Sequence, residues 1–482
     1  MIRSFQKIFQ GTFLSKASGL ARDIALASAF GTSLELSIFF TAFRFALIFR
    51  RIFGETLVSS LFIPRYQELV EKNPSLATTF YRQFQAALLC VVCLFVLVVQ
   101  TSFFFFPAWA GVFSSPIRIL SFSLIFLSAY ATNSAYLQCH DTFFFPAIAP
   151  LFFNLALIIP TLLFRDAARM YLPICALIGF FFQWLVTIFS LTKPPVLPSF
   201  TPFTPQIRSL VRPFFWGVLG IGTMQVHSFF DALFAQWADP RGPSYLWFAI
   251  RLYQAPVSLF SLALSTAFLP HFSSGGVAKE ESRFLEAFRI GLVLLGFSTF
   301  GLLIFSHEVV ATFFQRGAFD ATSVQVSARC LQAYCLGLLP SFGIFLSNQV
   351  LFTKKRHALT AKASLLSVLV NIAGNLWFVF GSEWGALGVA FSTAISQWIH
   401  CAFLAWHVER WLPNIWRQPR MFFVKIVFGA SSSALIAKMA IQKMVFLQGG
   451  YLEFLCLGGM YGGIFLLLMR ALQIEELKKI LT

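Results

Sequence analysis

The sequence predicts an all-α integral membrane protein with about fourteen transmembrane helices. The chain is 58% hydrophobic and only 11% charged, with a mean hydropathy of +0.76. Soluble domains average about 25% charged residues. Apolar windows of roughly twenty residues, long enough to cross a bilayer, recur along the whole chain. With the N-terminus inside, 22 of the 36 Lys and Arg residues fall in cytoplasmic segments and eight in outer ones, as the positive-inside rule requires. Loop placement therefore explains most of the net charge of +17, and nucleic acid is not an expected partner.

Taken in order, the expected spans are 10–30, 36–62, 84–106, 118–138, 146–164, 171–191, 210–236 and 247–270, then 285–307, 327–350, 360–380, 384–408, 421–446 and 450–472. The N-terminal stretch MIRSFQKIFQGTFLSK is basic and expected to stay cytoplasmic. ALASA at 25–29 resembles a signal cleavage site, but Arg22-Asp23 interrupts the apolar region before it. An even span count then places both termini in the cytoplasm. Residues 192–206, TKPPVLPSFTPFTPQ, hold five prolines and cannot form a continuous helix. They divide the first six spans from the next six. The expected organisation is an N-terminal lobe 1–191, a linker 192–208, a C-terminal lobe 209–415 and a final helix pair 416–482.

The lobes show a faint repeat. AFR at 42–44 matches AIR at 249–251, and SSLFIP at 59–64 matches STAFLP at 265–270. Parallel repeats about an axis along the membrane normal are a recurrent transporter plan, and this one places Arg44 and Arg251 on opposite walls of one cavity.

Six cations lie within spans: Lys16, Arg22, Arg44, Arg50, Arg51 and Arg251. A lipid-facing charge at a helix centre costs about 2.5–3.5 kcal/mol, so they are expected to face a polar interior. The second span, FTAFRFALIFRRIFGETLVSSLFIP at 40–64, brings Arg44, Arg51 and Glu55 near one stripe by steps of seven and four. One reading has Arg50 and Arg51 snorkelling to an interface; the other is a cationic wall built to hold an anion. Arg22 and Asp23 are adjacent and point about 100° apart, so they need not pair. A structural network with Glu55 and direct contact with a substrate both stay open. Asp231 on span seven either binds a coupling cation or neutralises Arg251.

No phosphate-binding GxxxxGK loop is present, and SHEVV at 306–310 lacks the second His of a zinc motif. Cys90 and Cys93, within AALLCVVCLF, read as small buried residues. His140 and His357 read as interfacial and non-catalytic. GGMYGG at 458–463 offers either close helix packing or room for a lipid chain.

Five blocks stand out: SGLARD at 18–23, the run 30–64, DTFFFPAIAPLFFN at 141–154, YLWFAIRLYQAPVSLFSLALSTAFLP at 245–270 and FFQRGAFDATSVQVSARCLQAY at 313–334. Together they resemble the MviN/MurJ family of lipid II flippases, in the multidrug/oligosaccharidyl-lipid/polysaccharide exporter superfamily. The resemblance implies fourteen helices, two six-helix lobes in a V around a central cavity, and a final pair forming a groove for a lipid tail. It implies that Arg22, Arg50, Arg51 and Arg251 engage a pyrophosphate. Lys16 stands where the family usually has arginine, and Arg44 where lysine is common. Ser37 occupies a position where relatives commonly carry an aspartate, with Glu35 two residues away on another face, and Ala46 replaces a frequent proline. The expected activity is outward transfer of an undecaprenyl-pyrophosphate-linked precursor across the bacterial inner membrane, with no enzymatic chemistry, metal or cofactor. Membrane potential is the expected driving force, and Asp23, Glu55, Asp231 and Glu35 form the gating charges. A flippase for another polyprenyl saccharide, a drug or cation antiporter, and a non-transporting scaffold are the alternatives. Membrane lipids surround the chain, expected as a monomer, and cell-wall synthases or division proteins are candidate partners.

Overall fold

The computed structural model describes residues 2–53, 56–106, 111–191, 204–261, 264, 277–412, 415, 420–442, 451–474 and 476. The described residues are almost entirely helical, and the chain divides into two compact units, Met1–Leu233 and Phe234–Thr482.

The first unit opens with α1 (Ile2–Phe30) and α2 (Leu34–Phe53). Between them Gly31 adopts φ 57° and its amide bonds the Ala27 carbonyl at 2.8 Å, a left-handed helix end that glycine takes without strain. The Ser33 hydroxyl then accepts the Leu36 amide at 3.3 Å and opens α2. FGTS at 30–33 is thus a stop followed by a start. After α3 (Thr56–Lys72), Asn73 caps α4 (Pro74–Phe105) by accepting the Ser75 amide at 2.9 Å, with Pro74 at the helix start. Helices α5 (Ser114–Cys139), α6 (Phe144–Leu163) and α7 (Arg165–Phe189) complete a packed set, and α8 (Pro205–Ala238) continues past the last residue of the unit, Leu233. Helix α1 lies on α6, α6 on α7, and α2 and α4 on α5. Within α6, Pro150 has no amide to offer the Pro146 carbonyl. The Tyr130 hydroxyl of α5 donates to that carbonyl instead, at 2.9 Å.

The second unit contains α9 (Gly242–Pro256), which runs into a π-helical turn at Val257–Ser261, then α10 (Val277–Ile304) and α11 (Ser306–Phe314). It continues with α12 (Ala321–Cys335), α13 (Leu338–Thr353), α14 (His357–Leu376) and α15 (Gly385–Glu409), and ends with α16 (Arg420–Gln442) and α17 (Tyr451–Ala471). Asp320 caps α12, and hydrogen bonds from the Ser323 hydroxyl and amide hold its carboxyl below the usual carboxylate range. Helix α15 packs on both α13 and α14, and α16 on α17 and α10.

Among the described residues nine helices are long and apolar enough to cross a membrane, and α12 with α13, bent by 41°, adds a tenth. The chain is an all-α integral membrane protein. The expected spans that do not meet this measure are 10–30, 36–62, 210–236 and 247–270. The first two carry Lys16, Arg22, Asp23, Arg44, Arg50 and Arg51, and those charges lower the apolar average. The last runs into residues outside the described set, and in 210–236 a stretch of side chains lies outside it. The cysteine expectation needs correction. Cys330 and Cys335 are buried, but Cys90 and Cys93 face outward. Helix α4 turns most of its surface away from the protein, with only 22% of its apolar window buried, and a small apolar thiol is at ease against lipid.

Candidate functional site

The charged centre of the first unit is built where α1 meets α6. A Cβ at Gly11 would lie 2.8 Å from that of Ala147, and one at Gly19 would lie 3.7 Å from Asn154 Nδ2. Glycine at these positions lets the two backbones approach, so short side chains can bridge them. Asn154 donates to the Ser18 hydroxyl at 2.8 Å and to the Ser15 carbonyl at 3.2 Å, and its Oδ1 accepts Arg22 Nη1 at 3.1 Å. Arg22 Nε and Nη2 both donate to Asp23 Oδ1, at 3.0 and 2.7 Å. The Phe153 ring lies 5.7 Å from the guanidinium carbon. Arg22 is 6% exposed and Asp23 1%, so this is a buried, charge-assisted pair.

That pairing corrects the expectation that Arg22 and Asp23 need not meet. Their Cα–Cβ directions do diverge, but the arginine stem is long enough to fold back along the helix. Asn154 was missed: its signal in the sequence is a single amide inside the apolar run of α6, where a polar side chain is costly without a partner.

On α2, Arg44 is buried and Nη1 donates to the Ser228 carbonyl of α8 at 3.1 Å. The same turn of α8 carries His227 and Asp231, with Nδ1 4.0 Å from Oδ2. Asp231 is 3% exposed and falls in the first unit. The structure therefore gathers Arg44, His227 and Asp231, separately from the Arg22 centre. Arg50 is half-buried on α2. The Arg51 side chain and Glu55 lie outside the described residues. Lys16 is exposed on α1 and is not brought into the Arg22 centre. Glu35 is exposed at the start of α2, where it lines a pocket of about 180 Å³ with Ile38, Phe39, Ser115, Ile119 and Pro173. Ser37 is fully buried.

In the second unit Arg251 is half-buried on α9, its guanidinium carbon 4.4 Å from the Trp247 ring centroid. The indole one turn back fixes the guanidinium by cation–π attraction. Tyr253 on the same helix donates to Gln397 of α15 at 3.0 Å, which pins α9 in place.

Among the described residues, the last helix, α17, is anchored on one face. Leu457, Tyr461, Phe465 and Met469 are buried at steps of four. The Tyr461 hydroxyl donates to the Phe297 carbonyl at 2.6 Å, and its ring stacks on Phe297 at 4.4 Å. A Cβ at Gly458, Gly459, Gly462 or Gly463 would meet nothing within 4 Å among the described residues. GGMYGG therefore does not serve close packing, because its glycines face open space. Alanine at any of the four is expected to leave stability unchanged or to raise it by up to about 1 kcal/mol through helix propensity. Gly291→Ala should lower it, because a Cβ there overlaps the Phe342 ring. Thermal unfolding of the five variants in detergent separates these outcomes, and a destabilised Gly459→Ala contradicts the open face.

Comparison with known proteins agrees with this architecture. The family profile described as "Lipid II flippase MurJ" matches residues 26–457. The chain is 29% identical over 495 residues to "Probable lipid II flippase MurJ" of Thermotoga maritima, covering 98% of this chain and 96% of that protein. It is 27% identical over 432 residues to "Probable lipid II flippase MurJ" of Chlamydia pneumoniae, covering 86% and 78%. The solved structure "Lipid II flippase MurJ, inward closed conformation" superposes with a TM-score of 0.81 at 25% identity, over 96% of this chain and 99% of that one. An inward-facing multidrug resistance MATE family transporter of the MOP superfamily shares the fold at a TM-score of 0.66 and 14% identity, over 84% and 96%. A family match along residues 26–457, most of the chain, settles the relationship: the chain belongs to the lipid II flippase MurJ family.

Proposed function

We propose that this protein moves lipid II, an undecaprenyl-pyrophosphate-linked peptidoglycan precursor, from the cytoplasmic to the outer leaflet by alternating access. The observation that carries the reading is similarity along nearly the whole chain to proteins named lipid II flippase. No bond is made or broken, so the protein acts as a transporter and not as an enzyme. In this reading charge-assisted, partly bidentate contacts to the pyrophosphate come from Arg22, Arg44, Arg50, Arg51 and Arg251, with Lys16 at the margin. Asp23, Glu55, Asp231 and Glu35 supply the counter-charges that reset those cations. The isoprenoid tail lies along the open glycine face of α17. The decisive experiment labels lipid II head groups from outside in cells depleted of the protein. Loss of outward exposure is the expected result, and undiminished exposure rules the reading out.

The proposed setting is the bacterial inner membrane, with both termini in the cytoplasm. Reporters fused after Thr482 and within 193–206 are expected to read cytoplasm, and one at Gly242 the outside, because of the basic bias. An outside signal from the linker overturns the topology.

A further inference from the structure

A second cationic cluster lies in the second unit, apart from the residues assigned above. Helix α13 ends in a turn at 354–356, where Lys355 adopts φ 56° and the Arg356 amide bonds the Leu351 carbonyl at 2.8 Å. Beside this turn α15 ends at Arg410 and Trp411. The Arg356 guanidinium carbon is 5.4 Å from the Trp411 ring centroid, and that of Arg410 is 4.3 Å from the Trp406 ring. Lys354 is engaged by Glu280 at 2.8 Å. Among the described residues, by contrast, neither Arg356 nor Arg410 donates a side-chain hydrogen bond or meets a carboxylate. Stacking on an indole fixes a guanidinium while leaving its in-plane N–H donors turned outward. Exposed Lys355 and Lys362 add charge to the same end.

From this cationic end an apolar stripe runs along α14. Leu365, Leu369 and Leu376 are 52%, 56% and 49% exposed, at helical spacing from Lys362. Trp406 is 57% exposed, an amphipathic ring of the kind that sits at head-group level. A free anion would use the arginines and ignore the stripe. A molecule with a phosphate at one end and hydrocarbon at the other uses both.

We propose that this end of α13, α14 and α15 binds the head-group phosphate of an anionic glycerophospholipid, with its acyl chains along the leucine stripe of α14. The two arginines supply the donors, and the indoles set their angle. The inference rests on the membrane setting of these helices and does not depend on which lipid-linked substrate is moved.

The test uses the full-length protein in phosphatidylcholine nanodiscs containing a minor fraction of phosphatidylglycerol. Dibrominated phosphatidylglycerol should quench tryptophan fluorescence more than dibrominated phosphatidylcholine at equal mole fraction. Local enrichment of the anionic lipid is expected to fall roughly fivefold for each arginine removed in R356Q and R410Q. The same charge change in the first unit, R82Q/R208Q, should leave the excess intact. Equal quenching by the two lipids in the unaltered protein overturns the proposal, as does an undiminished excess in R356Q/R410Q. Loss of the excess on adding inorganic phosphate at constant ionic strength also overturns it, by assigning the cluster to a free anion.

Discussion

Arg22→Ala is expected to lower the stability of the protein by about 3–5 kcal/mol, because it leaves the Asp23 carboxylate buried without its guanidinium. Asp23 is 1% exposed, so water cannot replace the partner without opening the contact between α1 and α6. Removing both charges should behave differently. In Arg22→Met/Asp23→Leu the buried ionic cost disappears with the pair, and most of the lost stability should return. Transport should not return with it if Arg22 also contacts the pyrophosphate. Thermal unfolding and head-group exposure, measured on the single and double variants, therefore separate the two roles that the sequence leaves open. Normal transport by the double variant makes Arg22 a structural counter-ion. An unchanged unfolding temperature in Arg22→Ala denies that the pair matters to the fold.

Collapsing the membrane potential is expected to have a comparably large effect on transport. The pyrophosphate carries about two negative charges, and each is worth about 2.3 kcal/mol per 100 mV, so outward transfer gains roughly 4–5 kcal/mol per 100 mV. Such a gain shifts an equilibrium on the order of a thousandfold. It is an upper limit, since a counter-ion returning inward would offset part of it. Flipping in proteoliposomes with the potential and the pH gradient dissipated separately gives the answer. If the rate survives loss of potential and stops without the pH gradient, a buried acid becomes the coupling group, with Asp231 beside His227 the first candidate.

The membrane class, the all-α fold and the family relationship were legible because each rests on a signal repeated along the chain. Hydropathy, basic bias and the long blocks around Arg22, Arg44 and Arg251 do not depend on any single contact. Details that depend on side-chain reach were not legible. The Arg22–Asp23 pair was hidden because Cβ directions do not describe where a long guanidinium ends. The role of Asn154 was hidden because its partners, Ser15, Ser18 and Arg22, are more than a hundred positions away in sequence. GGMYGG could be read two ways because spacing alone does not say which face of α17 has a neighbour. Tyr461, from the middle of that motif, decides it by turning its ring onto Phe297 and the glycines away.

The side chain of Asn154 reaches three groups of α1 at once: the Ser15 carbonyl, the Ser18 hydroxyl and the Arg22 guanidinium. Those three positions span about two turns, so no translation of α1 along α6 can keep them all. A slip of even one residue, roughly 1.5 Å, breaks the set together. The contact acts as a register lock, and the two helices enter any conformational cycle as one stiff member. Sliding is closed to them, and bending is left to places where the backbone ladder is already interrupted. Pro150 lies one turn from the lock and is braced by Tyr130, whereas Pro160 stands near the far end of α6. A lobe that must rock as a whole is served by such a lock, because a load placed on Arg22 is passed to α6 and not lost in the slip of a single helix.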